Sequence, residues 1–109
     1  MISIDESNIT ITKGDTLLVT IDIERNGSPY MPQEGDKVRF AMKNAYTDEE
    51  CMLNIDIPID TLLLNVPADT MKTIPVNKKG YVYDVQLTTA DGIVDTFISG
   101  KVYVTAEVE

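Results

Sequence analysis

The sequence predicts an all-β domain, an antiparallel β-sandwich of about seven or eight strands. Apolar and polar residues alternate along most of the chain, and glycine, aspartate and proline cluster where each alternating run stops. The number of runs is a third observation, because this many short strands in 109 residues are typical of a sandwich or a small barrel.

Alternation is clearest in four segments, in which apolar side chains occupy every second position: residues 16–23, 37–43, 51–60 and 101–108. Successive side chains of a strand point to opposite faces, so each segment gives one buried face. A helix would spread the same residues around its axis. Cys51 opens the apolar face of the third segment, so we expect a buried, inert thiol there.

Turn residues divide these segments. Asn26–Pro29 ends the second predicted strand, and Glu34–Asp36 opens the third. Asp91-Gly92 is the strongest hairpin signal in the chain, and Ser99-Gly100 marks a second tight turn. The end of the chain is therefore predicted to be a three-stranded antiparallel meander over residues 81–89, 93–98 and 101–108.

The other predicted strands cover residues 8–12, 16–24, 36–44, 51–57 and 61–66. A helical turn is expected over Pro67–Lys72, because proline suits a first helical position. No repeat, low-complexity stretch or linker interrupts the pattern, so we expect residues 1–109 to form a single domain.

The charge balance restricts the partners. The chain carries 9 basic and 18 acidic residues, a net charge of -9, which repels phosphate backbones and anionic headgroups. We therefore expect neither nucleic acid nor membrane as a partner. The start of the chain has no signal-peptide pattern, and the longest aliphatic run, Leu62–Leu64, is too short to span a membrane. Synthesis in the cytoplasm is expected.

The sequence lacks the residues that most enzymes use for catalysis. The chain has no histidine and one cysteine, which excludes Ser-His-Asp and Cys-His arrangements and a zinc site of the usual ligands. We expect no enzyme activity, no cofactor and no metal. Asp48–Glu50 and the pair Asp56 and Asp60 could form a cation site, but solvated loop charge is the favoured interpretation.

Four tyrosines are the candidate functional residues. Tyr81 and Tyr83 open a strongly alternating strand, and in immunoglobulin-like sandwiches a tyrosine near the start of one strand bonds back to the backbone at the sheet corner. We favour this structural tyrosine-corner role over a binding patch. Tyr30 and Tyr46 lie in predicted loops and are possible contact residues, although both could equally pack over the ends of the sandwich.

An ordered series of segments resembles the immunoglobulin-like domains of bacteriophage tail and baseplate proteins, including the N-terminal domain of the baseplate upper protein. The series spans nearly the whole chain: residues 11–16 (ITKGDT), 34–42 (EGDKVRFAM), 69–72 (DTMK), 80–88 (GYVYDVQLT), 91–96 (DGIVDT) and 100–105 (GKVYVT). The segment Val76–Gly80 departs from the family because it is longer than the usual turn.

The resemblance implies an immunoglobulin-like sandwich with an architectural, non-enzymatic role. Its partners would be other tail or baseplate proteins, or further copies of itself, in a virion tail assembled after synthesis in the bacterial host cytoplasm. The alternative is a β-sandwich module that binds carbohydrate or a host surface through exposed aromatic residues. A carboxylate-based hydrolase is the least favoured alternative.

Overall fold

Ten strands and one helical turn make up the regular structure of residues 2–25 and 27–106, the part of the chain that this computed structural model describes. The strands confirm the all-β class. They are β1 (Ile2–Asp5), β2 (Asn8–Thr12), β3 (Leu17–Thr20), β4 (Glu24–Arg25), β5 (Ser28–Pro29), β6 (Lys37–Lys43), β7 (Leu53–Ile57), β8 (Leu63–Val66), β9 (Asn77–Thr88) and β10 (Val94–Thr105), with α1 (Ala68–Met71) between β8 and β9.

Six of the strands form one sheet in the order β1-β2-β10-β9-β6-β7. Neighbours are antiparallel except for β2 and β10, which are parallel, so the sheet is mixed. The expectation of a wholly antiparallel arrangement was therefore wrong at this pair. Alternation in the sequence does not depend on strand direction, and it could not have revealed the parallel pairing.

The remaining strands form two short antiparallel pairs, β3 with β8 and β4 with β5. Buried side chains of β3 and β8, namely Leu17, Leu64 and Val66, belong to the same hydrophobic cluster as Phe40 and Val85 of the six-stranded sheet. One core is therefore shared by the β3–β8 pair and the inner face of the large sheet.

The inner face of the large sheet follows the predicted alternation. Val38, Phe40 and Met42 of β6 are buried, and β9 buries a matching row of four side chains: Tyr81, Tyr83, Val85 and Leu87. Burial of each aliphatic or phenylalanine side chain contributes about 1.5–3 kcal/mol relative to exposure. These two adjacent strands therefore supply much of the core.

The predicted meander at the end of the chain was wrong. β9 and β10 are two long strands joined by one connection, which contains Asp91-Gly92 as predicted. Ser99 and Gly100 do not turn the chain, because they lie inside β10 and pair with Asp84 and Tyr83.

Gly100 is required for close packing. A Cβ atom at this position would overlap the Ser7 carbonyl oxygen in the turn between β1 and β2. The Asn8 side chain reinforces this contact, because its Oδ1 atom accepts a hydrogen bond of 3.0 Å from the Lys101 amide. The glycine that resembled a turn signal thus lets the β1–β2 hairpin lie directly on β10.

Several boundaries also differ from the predictions. β1 was not predicted, and the predicted strand over residues 16–24 contains β3 and, after an irregular stretch over residues 21–23, the first residue of β4. Cys51 is exposed, so the expectation of a buried thiol was wrong. The reason is that regular alternation starts only at Leu53, where β7 begins. Asn26 of the predicted turn and residues 107–109, which include the last two positions of the predicted final strand, lie outside the described residues.

The predicted helical turn is confirmed. α1 follows Pro67, whose extended backbone places it at the N-cap, and Met71 at the end of the turn is buried. A helix of four residues has little stability of its own, so the buried Met71 side chain holds the turn against the core.

Replacement of Gly100 by alanine is predicted to destabilise the domain by about 1–3 kcal/mol, because the added methyl group must displace the Ser7 backbone. The free energy of unfolding in urea measures this loss. Ser99→Ala, at the exposed neighbouring position, is the control and should change stability by less than about 0.5 kcal/mol. Equal stability of Gly100→Ala and the wild type would contradict the close packing.

Candidate functional site

Asp36, directly before β6, organises one end of the domain. Its side chain is 8% exposed and accepts three hydrogen bonds. Oδ2 accepts from the Tyr30 hydroxyl at 2.5 Å and from the Gln33 amide at 3.0 Å, while Oδ1 accepts from the Ala90 amide at 3.2 Å. A single carboxylate therefore ties the loop before β6 to the β9–β10 connection.

Tyr30 is built into this network. Its amide donates to the Ile23 carbonyl at 2.9 Å, and the Arg25 guanidinium lies 5.1 Å from the centre of its ring. Arg25 also approaches Asp95 of β10, with Nε 3.7 Å from Oδ2. The expected contact residue Tyr30 is thus half-buried, and its hydroxyl is bonded to Asp36.

The electrostatics of the pair follow from these contacts. Hydrogen bonds, first from the Gln33 amide and then from the Tyr30 hydroxyl, hold the pKa of Asp36 below its ordinary value of 3.8. The hydrogen bond to Asp36 raises the pKa of Tyr30 above 10.0, and desolvation adds to this effect. Both shifts favour a charged carboxylate and a neutral phenol at neutral pH.

Tyr81 and Tyr83 are buried in the core, and each hydroxyl reaches a backbone carbonyl. Tyr81 donates to the Pro75 carbonyl at 2.6 Å, six residues upstream in the connection that leads into β9. Tyr83 donates to the Ser7 carbonyl in the β1–β2 turn, and its ring lies 5.3 Å from that of Phe40. Burial raises the pKa of both phenols. The two tyrosines therefore fasten different loops to the same strand.

Tyr46 lies in the connection between β6 and β7 and is 70% exposed, and it lines the same depression as Tyr83. This depression is shallow and lies on the outer face of the large sheet, next to Lys43, Val82 and Asp84. The Lys43 ammonium donates to the Asp48 carbonyl at 2.8 Å and holds this connection against the sheet. Tyr46 remains a candidate contact residue on the outer face.

The acidic segments occupy solvent-facing positions. Asp48 accepts a hydrogen bond from the Ala45 amide at 3.1 Å and stabilises its own loop, while Glu49 and Glu50 are exposed. Asp56 and Asp60 are also exposed. Within residues 2–25 and 27–106, no three acidic or cysteine side chains are grouped so that they could hold a metal ion.

A groove of about 280 Å³, here called the β1–β3 groove, opens between the six-stranded sheet and the β3–β8 pair, on the side of β1 and β3. Fully buried core residues form part of its lining, and the more exposed lining residues Ile4, Val19 and Ile98 are apolar as well. Its charged lining residues are Glu6 and Asp22. The groove could hold an apolar group of a ligand or a partner.

No protein-family model matches the chain, and no curated protein matches it significantly. In the described part of the chain, no helix has the length and apolar character needed to cross a membrane.

Two of these features were not predicted from the sequence. Asp36 was interpreted only as a turn residue, although its position directly before an alternating strand and six residues after Tyr30 was a usable signal. The β1–β3 groove gave no sequence signal, because its lining comes from strands that are far apart in the chain.

Replacement of Tyr81 by phenylalanine is predicted to lower the free energy of unfolding by about 0.5–1.5 kcal/mol, because the Pro75 carbonyl loses its donor. Urea denaturation measures the effect. Tyr46→Phe is the matched control at an exposed tyrosine, and it should stay within about 0.5 kcal/mol of the wild type. Equal losses in the two variants would argue against a specific role for the Tyr81 hydroxyl.

Replacement of Asp36 by asparagine is predicted to destabilise the protein at neutral pH and to weaken its acid sensitivity. The pKa of Asp36 is lower in the folded than in the unfolded state. The stabilisation that the charged Asp36 gives the folded state is therefore fully present above about pH 3.8, and it is lost as the pH falls through the pKa of the folded state. Urea unfolding at neutral pH and at a series of acidic pH values tests both effects.

A double-mutant cycle measures the interaction energy between Tyr30 and Asp36 separately from their other contacts. Tyr30→Phe should destabilise the wild type more than it destabilises Asp36→Asn, because the charged acceptor of the Tyr30 hydroxyl is already gone in the second background. Strictly additive losses would show that the Tyr30–Asp36 hydrogen bond does not contribute to stability.

Proposed function

We propose that this chain is a non-enzymatic structural module of a bacteriophage or prophage tail or baseplate, with an immunoglobulin-like fold, that acts through protein–protein contacts. The observation that carries the proposal is the ordered series of segments resembling tail and baseplate domains, which extends from residue 11 to residue 105.

The strand arrangement supports the immunoglobulin-like part of the proposal. In such domains strands B and E belong to one sheet, and strands C, F and G form the other. Here β3 pairs with β8, as B pairs with E, while β6, β9 and β10 are neighbours in the large sheet, as C, F and G are. Taken along the chain, β3, β6, β8, β9 and β10 occupy the places of B, C, E, F and G. Tyr81, near the start of β9, donates its hydrogen bond to the connection upstream, as the tyrosine of a sheet corner does.

The positions of the resembling segments support an architectural role. Lys13, in the first segment, extends from the end of β2 and donates to the Lys72 and Ile74 carbonyls at 2.8 and 2.9 Å. Asp36, in the second segment, ties two loops together. The shared residues thus have roles in holding loops and strands, which is what a scaffold requires.

Immunoelectron microscopy of particles tests the proposal. Antibodies raised against the purified chain should label the tails of phage particles produced by the strain or phage that encodes it, and the chain should migrate with intact particles in a density gradient. A matched lysate in which the gene is deleted provides the control for antibody specificity.

Two other results would count against the proposal or favour its alternative. Particles that form normally, infect normally and contain none of the chain would contradict a role in the tail. Saturable binding to a glycan array by the same purified protein, lost in Tyr46→Ala, would instead support the carbohydrate-binding alternative.

A further inference from the structure

The six-stranded sheet has three times as many strands as the β3–β8 pair, and strand edges stay open beside an apolar groove between them. Within the described residues, β3 pairs only with β8, and β1 is the last strand of the six-stranded sheet. In an immunoglobulin domain, strand A covers the edge of strand B. Here the β1–β2 hairpin instead extends the opposite sheet by pairing with β10, so β3 has no such neighbour among the residues that the structure describes.

The β1–β3 groove lies next to this open edge. Val19 and Thr20 of β3 line it, and the facing residues include Ile4 and Ile9 from the β1–β2 hairpin and Ile98 from β10. Ile4 is 52% exposed, so its apolar side chain is largely uncovered at the groove. The groove thus combines an unpaired backbone with uncovered apolar side chains.

These two properties together select the kind of occupant. The edge of β3 presents amide and carbonyl groups that another strand can pair with, and the groove can receive the alternate side chains of that strand. A compact ligand could fill the apolar space, but it would leave the backbone groups of β3 without partners. An extended segment of polypeptide satisfies both.

Charge selects between possible sources of the segment. The charged residues in the groove lining are Glu6 and Asp22, both acidic and exposed, and the whole chain carries a net charge of -9. A segment with lysine or arginine near its ends is therefore attracted, whereas a second copy of this acidic chain is repelled. The chain's own basic alternating segment, Lys37–Lys43, is β6, which is paired on both sides and cannot be donated by a folded copy.

We propose that the β1–β3 groove binds an extended strand of a partner protein, which adds to the free edge of β3. The strand has alternating apolar residues that enter the groove and basic residues that face Glu6 and Asp22. This inference rests on the proposed function, because it specifies how such a module contacts its neighbour in the assembly.

A synthetic peptide tests the groove directly. The probe is a short peptide with valine or isoleucine at alternate positions, threonine between them and lysine at both ends, and its affinity is measured by isothermal titration calorimetry. We expect saturable binding to the wild type. Exchange of the terminal lysines for glutamates, or of a central threonine for proline, should each weaken binding about tenfold or more, through charge repulsion and loss of a strand hydrogen bond respectively.

Two residues of the same strand provide matched variants. Val19→Lys places a charge in the groove and is expected to weaken binding about tenfold or more. Leu18→Lys adds the same charge to β3 at a position that is 49% exposed and outside the groove, and should leave the affinity within about twofold. Ile4→Lys, at an exposed groove position, repeats the test if Val19→Lys fails to fold, as circular dichroism would show.

Several outcomes would overturn the proposal. Binding that is absent in the wild type, or equal in Val19→Lys and Leu18→Lys, would show that the groove is not the site. A wild-type dimer in light scattering that Val19→Lys abolishes, without peptide binding, would assign the groove to a second copy. Tail labelling by the antibody is a separate measurement. A chain that is present in tails but does not bind the peptide would therefore contradict strand binding in the groove and leave the proposed function intact.

Discussion

Strand β9 carries the arrangement on which the other elements depend. It is paired on both sides, to β6 and to β10, and it buries four alternating side chains in the shared core. Two of these are tyrosines, so the strand that fills the core also extends polar groups to its margins. The hydroxyls of Tyr81 and Tyr83 bond to the Pro75 and Ser7 carbonyls, which fixes two distant connections relative to one central strand.

A second set of side-chain hydrogen bonds also fixes loops relative to the strands. Asp36 joins the loop before β6 to the connection after β9, and Lys13 holds the carbonyls that follow α1. Each contact satisfies backbone groups that a loop would otherwise have to leave to solvent. Loops fastened in this way present their surfaces in a constant geometry, which suits a module whose proposed role is to join other proteins in an assembly.

The position of the β1–β2 hairpin leaves the edge of β3 open. It lies against β10, where Gly100 makes room for the Ser7 carbonyl, and it therefore does not cover β3. Exposed strand edges are hazardous because they pair with other chains. In this protein the open edge lies beside an apolar groove with acidic residues, so the feature that would otherwise favour nonspecific pairing gains selectivity for a basic, extended partner.

The sequence by itself determined the all-β class, the alternating faces of β6 and β9, the helical turn after Pro67 and the tyrosines as the residues of interest. These follow from local rules, since period-two alternation and turn chemistry act over a few neighbouring residues. Only the tertiary structure decided the parallel pairing of β2 and β10, the role of Gly100, the hydrogen bonds of Asp36 and the groove. Each of these depends on residues that are distant in the chain meeting at close range, and no local pattern encodes such a meeting.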